Sequence, residues 1–309
     1  MRLASLILFV APALCAQVAI QQQESKVIVE IDGKPYTEFV YGAGVTKPYL
    51  DPLRAASGTI VTRRYPMQKI PGETTDHPEH RGVWFGHTNV NGFNFYANEP
   101  DFTTPNRGKI IVRKINKIRG GKSSGSIDAT LAWLDPAGNT LLTEDREMVF
   151  SSSKGERILD FDFKFTPLVD VTFGDHRDGG FSIRVADWLQ ERRTGLMVSA
   201  DGCQKESGCW GKASNWMDYS GETDGEQLGI AILDHPSNPH HPAHWQARGY
   251  GLFAANIFGL REYTHGQIPD GSVALKKGQA LHLRYRVIIH PGNARSANIA
   301  AAYDKYALQ

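Results

Sequence analysis

Polar and apolar residues take turns in the manner of a strand from Lys26 to Ile31, with some apolar residues adjacent, and the same kind of pattern returns over 109–115, 126–134, 139–150 and 157–165. Successive side chains of a strand point to opposite faces, so each run predicts a strand with one buried and one wet face. Gly-rich turn signals lie beside these runs, as hairpins require. Apolar-rich stretches at 180–186, 195–200, 228–233, 252–257 and 281–289 bring the expected total to about twelve strands. Helical spacing with few β-branched residues occurs only over 293–308. No repeat period or linker divides residues 17–309, so the pattern predicts one all-β domain: a large antiparallel two-sheet sandwich with a C-terminal helix. A propeller would show a repeat.

The first residues follow a different rule. Met1-Arg2 is a short basic start, Leu3 to Leu14 is apolar, and Leu14-Cys15-Ala16 precedes Gln17 with small residues suited to cleavage, so 1–16 reads as a secretory signal. The run is shorter than the roughly 20 residues that span a bilayer, and no later segment comes near that length. A periplasmic or extracellular location and no membrane insertion after cleavage are therefore expected. Cysteine usage fits this compartment: Cys203 and Cys209, with five residues between them in a Gly-containing loop, suit a small disulfide better than a zinc site, for which a second ligand pair is lacking nearby.

Across 309 residues, 34 Lys and Arg almost cancel 33 Asp and Glu, which removes the electrostatic case for a nucleic-acid partner and favours a small neutral ligand. Oligomeric state leaves no trace in the pattern.

Histidine is where the chain is unusual. Seven of its 11 histidines fall in two stretches, 76–92 and 234–245, and both begin Asp-His-Pro. Imidazoles exchange protons near neutral pH, carboxylates act as bases or orienting partners, and guanidinium groups clamp oxygens. In the first stretch His80 and His87 are candidate acids and Asp76 a candidate base, with Arg81, Trp84, Asn89 and Asn91 as sugar contacts. The bland alternative buries Trp84 in a strand and leaves Asp76 and Arg81 bracing the loop. His77, next to a turn-forming Pro, reads either way. The second stretch offers His235 for catalysis and His244 for binding. Its i, i+3 and i, i+4 histidine spacings bring side chains together only on a helix, which Pro239 and Pro242 oppose. No dedicated metal set is therefore expected, although a divalent ion held by histidines from both stretches stays open. A third stretch, 172–184, adds His176, Asp178 and Arg184, or else an ordinary salt-bridged turn, with Gly179-Gly180 permitting close backbone approach. Of Arg63 and Arg64, neighbours in a strand-like run, at most one should face a site. A phosphate-binding Gly loop, a Gly-x-Ser-x-Gly elbow and a His-Glu-x-x-His motif do not occur, which weakens nucleotide, serine-hydrolase and zinc-protease readings.

Lys47-Pro48-Tyr49, the 76–87 stretch with Asn91-Gly92, the 179–185 stretch, and 234–239 with 250–256 together resemble the bacterial family carried under the label "methane oxygenase PmoA", also called a domain of unknown function. The resemblance covers nearly the whole chain after residue 16. It implies a secreted protein of carbohydrate-degrading bacteria whose sandwich is similar to the galactose-mutarotase-like supersandwich, a fold hosting epimerases, lyases and glycosidase-associated domains. The expectation is a carbohydrate-active enzyme performing hydrolysis, elimination or epimerisation. The rival expectations are a non-catalytic sugar-binding protein and a metal-dependent enzyme.

Overall fold

The computed structural model describes residues 17–103 and 106–309, so the signal sequence expected over 1–16, with Cys15, lies outside the described residues. The chain opens with β1 (Val18–Gln22), β2 (Lys26–Ile31), β3 (Lys34–Val40), β4 (Tyr49–Leu50) and β5 (Val83–His87). Four long strands follow: β6 (Lys109–Arg119), β7 (Ser124–Leu134), β8 (Thr140–Ser153) and β9 (Glu156–Pro167). After β10 (Val171–Phe173), β11 (Gly179–Arg184) and β12 (Leu196–Ser199), a short helix α1 (Lys205–Cys209) leads to β13 (Trp216–Thr223), β14 (Glu226–Asp234), β15 (His244–Arg248) and β16 (Leu252–Asn256). The remaining elements are α2 (Leu260–Tyr263), β17 (Val273–Leu275), β18 (Leu281–Pro291) and α3 (Ile299–Tyr306).

Two eight-stranded sheets result. One runs β1-β2-β3-β4-β5-β11-β16-β15, the other β12-β13-β14-β18-β9-β8-β7-β6, and β10 pairs with β17 apart from both. Neighbouring strands are antiparallel throughout, as the alternation requires. The all-β sandwich with a C-terminal helix is therefore what the sequence folds into.

Alternation explains the core. Phe161, Phe163 and Phe165 of β9 point inward and meet Phe85 and Phe181 of the first sheet, with ring centroids 4.7–5.2 Å apart for the pairs Phe161–Phe181, Phe85–Phe163 and Phe85–Phe165. Each such ring contributes about 1.5–3 kcal/mol on leaving water. Arg146 and Glu144 are also buried between the sheets; Glu144 accepts hydrogen bonds from the Trp133 indole at 2.8 Å and from Arg146 at 2.6 Å, which keeps the charged pair satisfied.

Eighteen strands occur among the described residues, six more than the pattern predicted. Most of the additions are short or buried on both faces. β5 and the first six residues of β13 show no exposed position, so no polar residue marks the outward face and alternation disappears. The helix also starts later than predicted: residues from Asn293 fold into a turn in which Ser296 caps Asn293, and α3 begins after Asn298 at a left-handed φ of 55°.

Candidate functional site

Strand β5 sorts its residues by parity. Val83, Phe85 and His87 face the second sheet, while Trp84 faces away from it, paired across the ladders with Tyr49 and Ser182. Arg184 lies two residues beyond Ser182 on β11 and so shares the Trp84 face; on β15, His244, Gln246 and Arg248 share it too. Onto this outer face the 76–80 loop folds back.

Asp76 is the centre of the arrangement. Its Oδ1 accepts hydrogen bonds from Arg63 Nη1 at 2.5 Å and Arg184 Nη2 at 2.7 Å, and both arginine side chains are 0% exposed. Arg63 further donates to the carbonyls of Asp76 and His77 at 2.7 Å each. Burial alone would raise the Asp76 carboxyl, but the Arg184 and Arg63 charges outweigh it and hold it below the usual carboxylate range. It is therefore a fixed anion at neutral pH. Its side chain is still 41% exposed, so it is presented to solvent rather than sealed in.

His80 sits deeper, stacked between His77 at 4.7 Å and Trp84 at 5.3 Å, with Tyr250 stacking on His77 at 5.1 Å. Arg184 Nη1 lies 3.2 Å from His80 Nδ1. A guanidinium can only donate, so Nδ1 must accept and the ring proton belongs on Nε2, which faces the Tyr96 hydroxyl at 3.2 Å. Burial and the neighbouring Arg184 charge push the imidazole well below its ordinary value. The role of cationic acid expected of His80 is thereby corrected: it is a neutral ring that positions Arg184.

The same contact decides the metal question. Among the described residues, His77, Glu79 and His80 bring three donor atoms within 4.8 Å of one another. A ligating histidine normally donates its other N–H to an acceptor. Here a ligating Nε2 would force that N–H onto Nδ1, against the guanidinium, so the donor set does not fit a divalent ion. Glu79 instead takes a hydrogen bond from His77 Nδ1 at 3.1 Å, and His77 Nε2 lies 3.9 Å from Asp76 Oδ2. His77, half-exposed and held at a left-handed φ of 46°, thus stands between two carboxylates.

Asp178 completes the face. Gln246 Nε2 donates to its Oδ1 at 2.6 Å, and His176 Nδ1 accepts from its backbone N–H at 3.0 Å. Burial raises the phenols of Tyr96, Tyr250 and Tyr263, and the Asp178 charge adds to each. A cavity of about 570 Å³ opens beside Asp76, Tyr250 and Glu191, and a larger one of about 730 Å³ lies beside Arg177, His244, Arg248, Trp210 and Tyr263.

Asp76, Arg184, His80 and Trp84 thus form one contact cluster, and Asp178 with His176 beside it and His244 on β15 lie on the same face of the sheet. Arg81 lies nearby, its guanidinium over Tyr49 and 3.7 Å from Glu99. Four other expected residues are elsewhere. His87 is 0% exposed on the core side of β5, its Nε2 donating to the Gly174 carbonyl at 2.7 Å, so no ligand on the outer face reaches it. Asn89 and Asn91 brace the 89–92 turn against 170–174: Asn89 Oδ1 accepts from Gly92, and Asn91 bonds Asp170 and Thr172. His235 packs edge-on to Tyr306 of α3 and faces Arg284 at 3.0 Å. The second Asp-His-Pro segment is a structural hub at the end of β14, where Asp234 accepts from Asn238, His241 and the Ala243 N–H. The two Asp-His-Pro starts thus lie apart, 76–77 on the outer face of the first sheet and 234–235 at the end of β14 beside α3.

Tyr250, Glu79 and Gln246 were not singled out as site residues, and of Arg63 and Arg64 at most one was expected to face a site. For Arg63 the strand rule did hold a signal, since it and Arg64 diverge to Asp76 and Asp51 respectively. The others join the site only through the fold.

Gly179 and Gly180 show why β11 begins as it does. A Cβ on Gly179 would lie 2.0 Å from His87 Nδ1, and Gly180 has φ 87° with a Cβ position 2.2 Å from the Ala255 carbonyl oxygen. Only glycine permits this approach.

Several solved structures are similar to this chain. A galactose mutarotase-like protein from Lactobacillus casei aligns at 8% identity and a TM-score of 0.41, covering 88% of this chain and 100% of that one. A GH36 α-galactosidase from Geobacillus stearothermophilus aligns at 9% identity and a TM-score of 0.38, covering 91% of this chain and 42% of the other, so the chain spans about two fifths of that enzyme. A polysaccharide lyase aligns at 12% identity and a TM-score of 0.31, covering 92% and 34%. No curated protein matches the sequence. The family that does match carries no methane-oxygenase description. Its model covers residues 26–304, and the chain belongs to this family of unknown function, DUF6807.

Proposed function

We propose that this protein is a carbohydrate-active enzyme, exported from the cytoplasm, that binds a neutral sugar on the outer face of its first sheet. One observation carries the reading: Asp76 is kept ionised by two buried guanidinium groups yet presented to solvent, beside the rings of His77 and Tyr250 and with Asp178 on the same face. A fixed carboxylate suits a sugar hydroxyl, an attacking group or a developing oxocarbenium charge, and a second carboxylate nearby is what glycoside chemistry uses. His77, between Glu79 and Asp76, is the ring placed to carry a proton. The charged groups here pair off, Arg63 and Arg184 on Asp76 and Lys47 and Arg81 on Glu99, which favours a neutral ligand. The Cys203–Cys209 disulfide supports an oxidising compartment.

The test is a panel of neutral gluco-, galacto- and xylo-oligosaccharides and their glycosides, incubated with wild type and with Asp76→Asn, with released, unsaturated or isomerised sugar as the readout. Turnover by wild type, reduced about a hundredfold or more in the variant, is expected. Because Asp76 titrates below the ordinary carboxylate range, its loss of activity on acidification should also begin below that range. Turnover unchanged in Asp76→Asn would remove Asp76 from the mechanism. Binding with no turnover would assign the site to recognition alone, a reading favoured by the neutral state of His80.

A further inference from the structure

We infer that the 730 Å³ cavity walled by Trp210, Tyr263, His244 and Arg248 is a second sugar subsite, so that the ligand is an oligosaccharide running from Asp76 past Asp178 to Trp210. The inference rests on the carbohydrate reading and specifies its substrate class.

The cavity has the size of a small-molecule site, and it does not stand alone. Asp178 joins it to the Asp76 centre: Arg177, its neighbour, lines the cavity, and Gln246, its hydrogen-bond partner, is two residues from His244 on the same face of β15. Tyr250, stacked on His77, lines the cavity beside Asp76, and Tyr263 lines this one. A chain running from the Asp76 centre past Asp178 therefore meets Arg177 at the wall of the second cavity.

The wall is built and fastened. Cys203–Cys209 closes α1, Glu206 on that helix binds Arg248 at 2.9 Å and the Gly249 N–H at 2.7 Å, and Glu191 accepts from the Glu206 N–H at 2.6 Å. Such preorganisation reduces the ordering cost of binding. Trp210 follows α1 directly, edge-on to Tyr263 at 5.4 Å. Its indole N–H and His244 Nδ1, both on residues lining the cavity, are buried without a hydrogen-bond partner, as is Oε1 of Gln246 two residues along β15. An aromatic body with a polar handle, next to unused donors and acceptors, matches a sugar ring with its C–H face and hydroxyls. Arg177 pairs with Glu262 and Arg248 with Glu206, leaving exposed Lys212 as the one lining Lys or Arg without an acidic partner among the described residues. A largely neutral glycan fits this balance.

Titration calorimetry of the full chain with gluco-, galacto- and xylo-oligosaccharides of one to six residues tests the inference. Trp210→Ala should weaken binding of chains of three or more residues at least tenfold, while changing mono- and disaccharide affinity less than twofold. His244→Gln, which alters the same cavity without removing a large ring, should shift the same length dependence and carries the test if Trp210→Ala melts lower than wild type. Equal effects on all lengths, or none, would overturn the subsite. Wild-type binding of monosaccharides alone would overturn it too, leaving the Asp76 reading in place. Binding of no probe by wild type would remove both.

Discussion

Asp76 and His80 stand four residues apart, and the fold gives them opposite electrostatic fates. Asp76 meets two guanidinium groups and stays charged; His80 meets one and stays neutral. His87, which the sequence made equivalent to His80, takes an odd position on β5 and so faces the core, whereas His80 lies in the loop folded onto the outer face. Burial lowers its imidazole to about 4. A depressed histidine contributes stability that is whole above its unfolded value near 6.5 and is lost as pH falls toward 4, because the unfolded chain binds the proton more readily. The loss is on the order of 3 kcal/mol for a shift of this size. His87→Gln should flatten the decline of urea-unfolding free energy between pH 6.5 and 4; a wild-type slope in the variant would mean that His87 is not its source.

At the scale of elements, the long ribbons β6 to β9 were visible because their outward residues are polar, whereas β5 and β13 were hidden because both of their faces are covered. Arg184 sits on β11, which the pattern had marked as a strand, but the other carriers of the candidate site, β5, β15 and the 76–80 loop, were not marked. Helix α1 is the clearest case. Five residues cannot hold a helix in water unaided, and the Cys203–Cys209 bond closes the turn around it. Closing so short a loop stabilises the fold by about 2 kcal/mol on the chain-entropy model. Cys203→Ser with Cys209→Ser should lower the unfolding free energy by about that amount and loosen the Trp210 cavity, read as faster amide exchange over 203–211. Unchanged exchange there would mean that Glu206 and Glu191 suffice as the fastening.

For the whole molecule, the two sheets share one aromatic core, and what lies on each outer face differs. The first sheet exposes the Asp76 face. The second covers part of its outer face with α3, whose Ile299, Tyr303 and Tyr306 pack on Trp216, Ala231, Leu233 and Ile288. The second Asp-His-Pro segment serves this seam: His241 is held by Asp234 at 2.7 Å and faces the Tyr303 hydroxyl at 3.3 Å. Deleting 293–309 should expose an apolar patch and give a lower melting temperature with concentration-dependent association in gel filtration. A monomer with unchanged melting would show that the helix is dispensable to the sandwich.

Period-two alternation determined the all-β class and the antiparallel sandwich, because local backbone geometry ties that period to strands, and helical spacing marked the helix at the end of the chain. The paired cysteines, the glycines of β11 and the chemical wealth of residues 76–80 were equally local facts. Which imidazole is neutral, which carboxylate is clamped and which histidines meet depended on partners up to about a hundred residues away, such as Arg184 for Asp76 and Gln246 for Asp178. Two segments with the same Asp-His-Pro start were therefore indistinguishable along the chain. Burial and charge pairing arise only on folding, and those two quantities separated the candidate site from the hub.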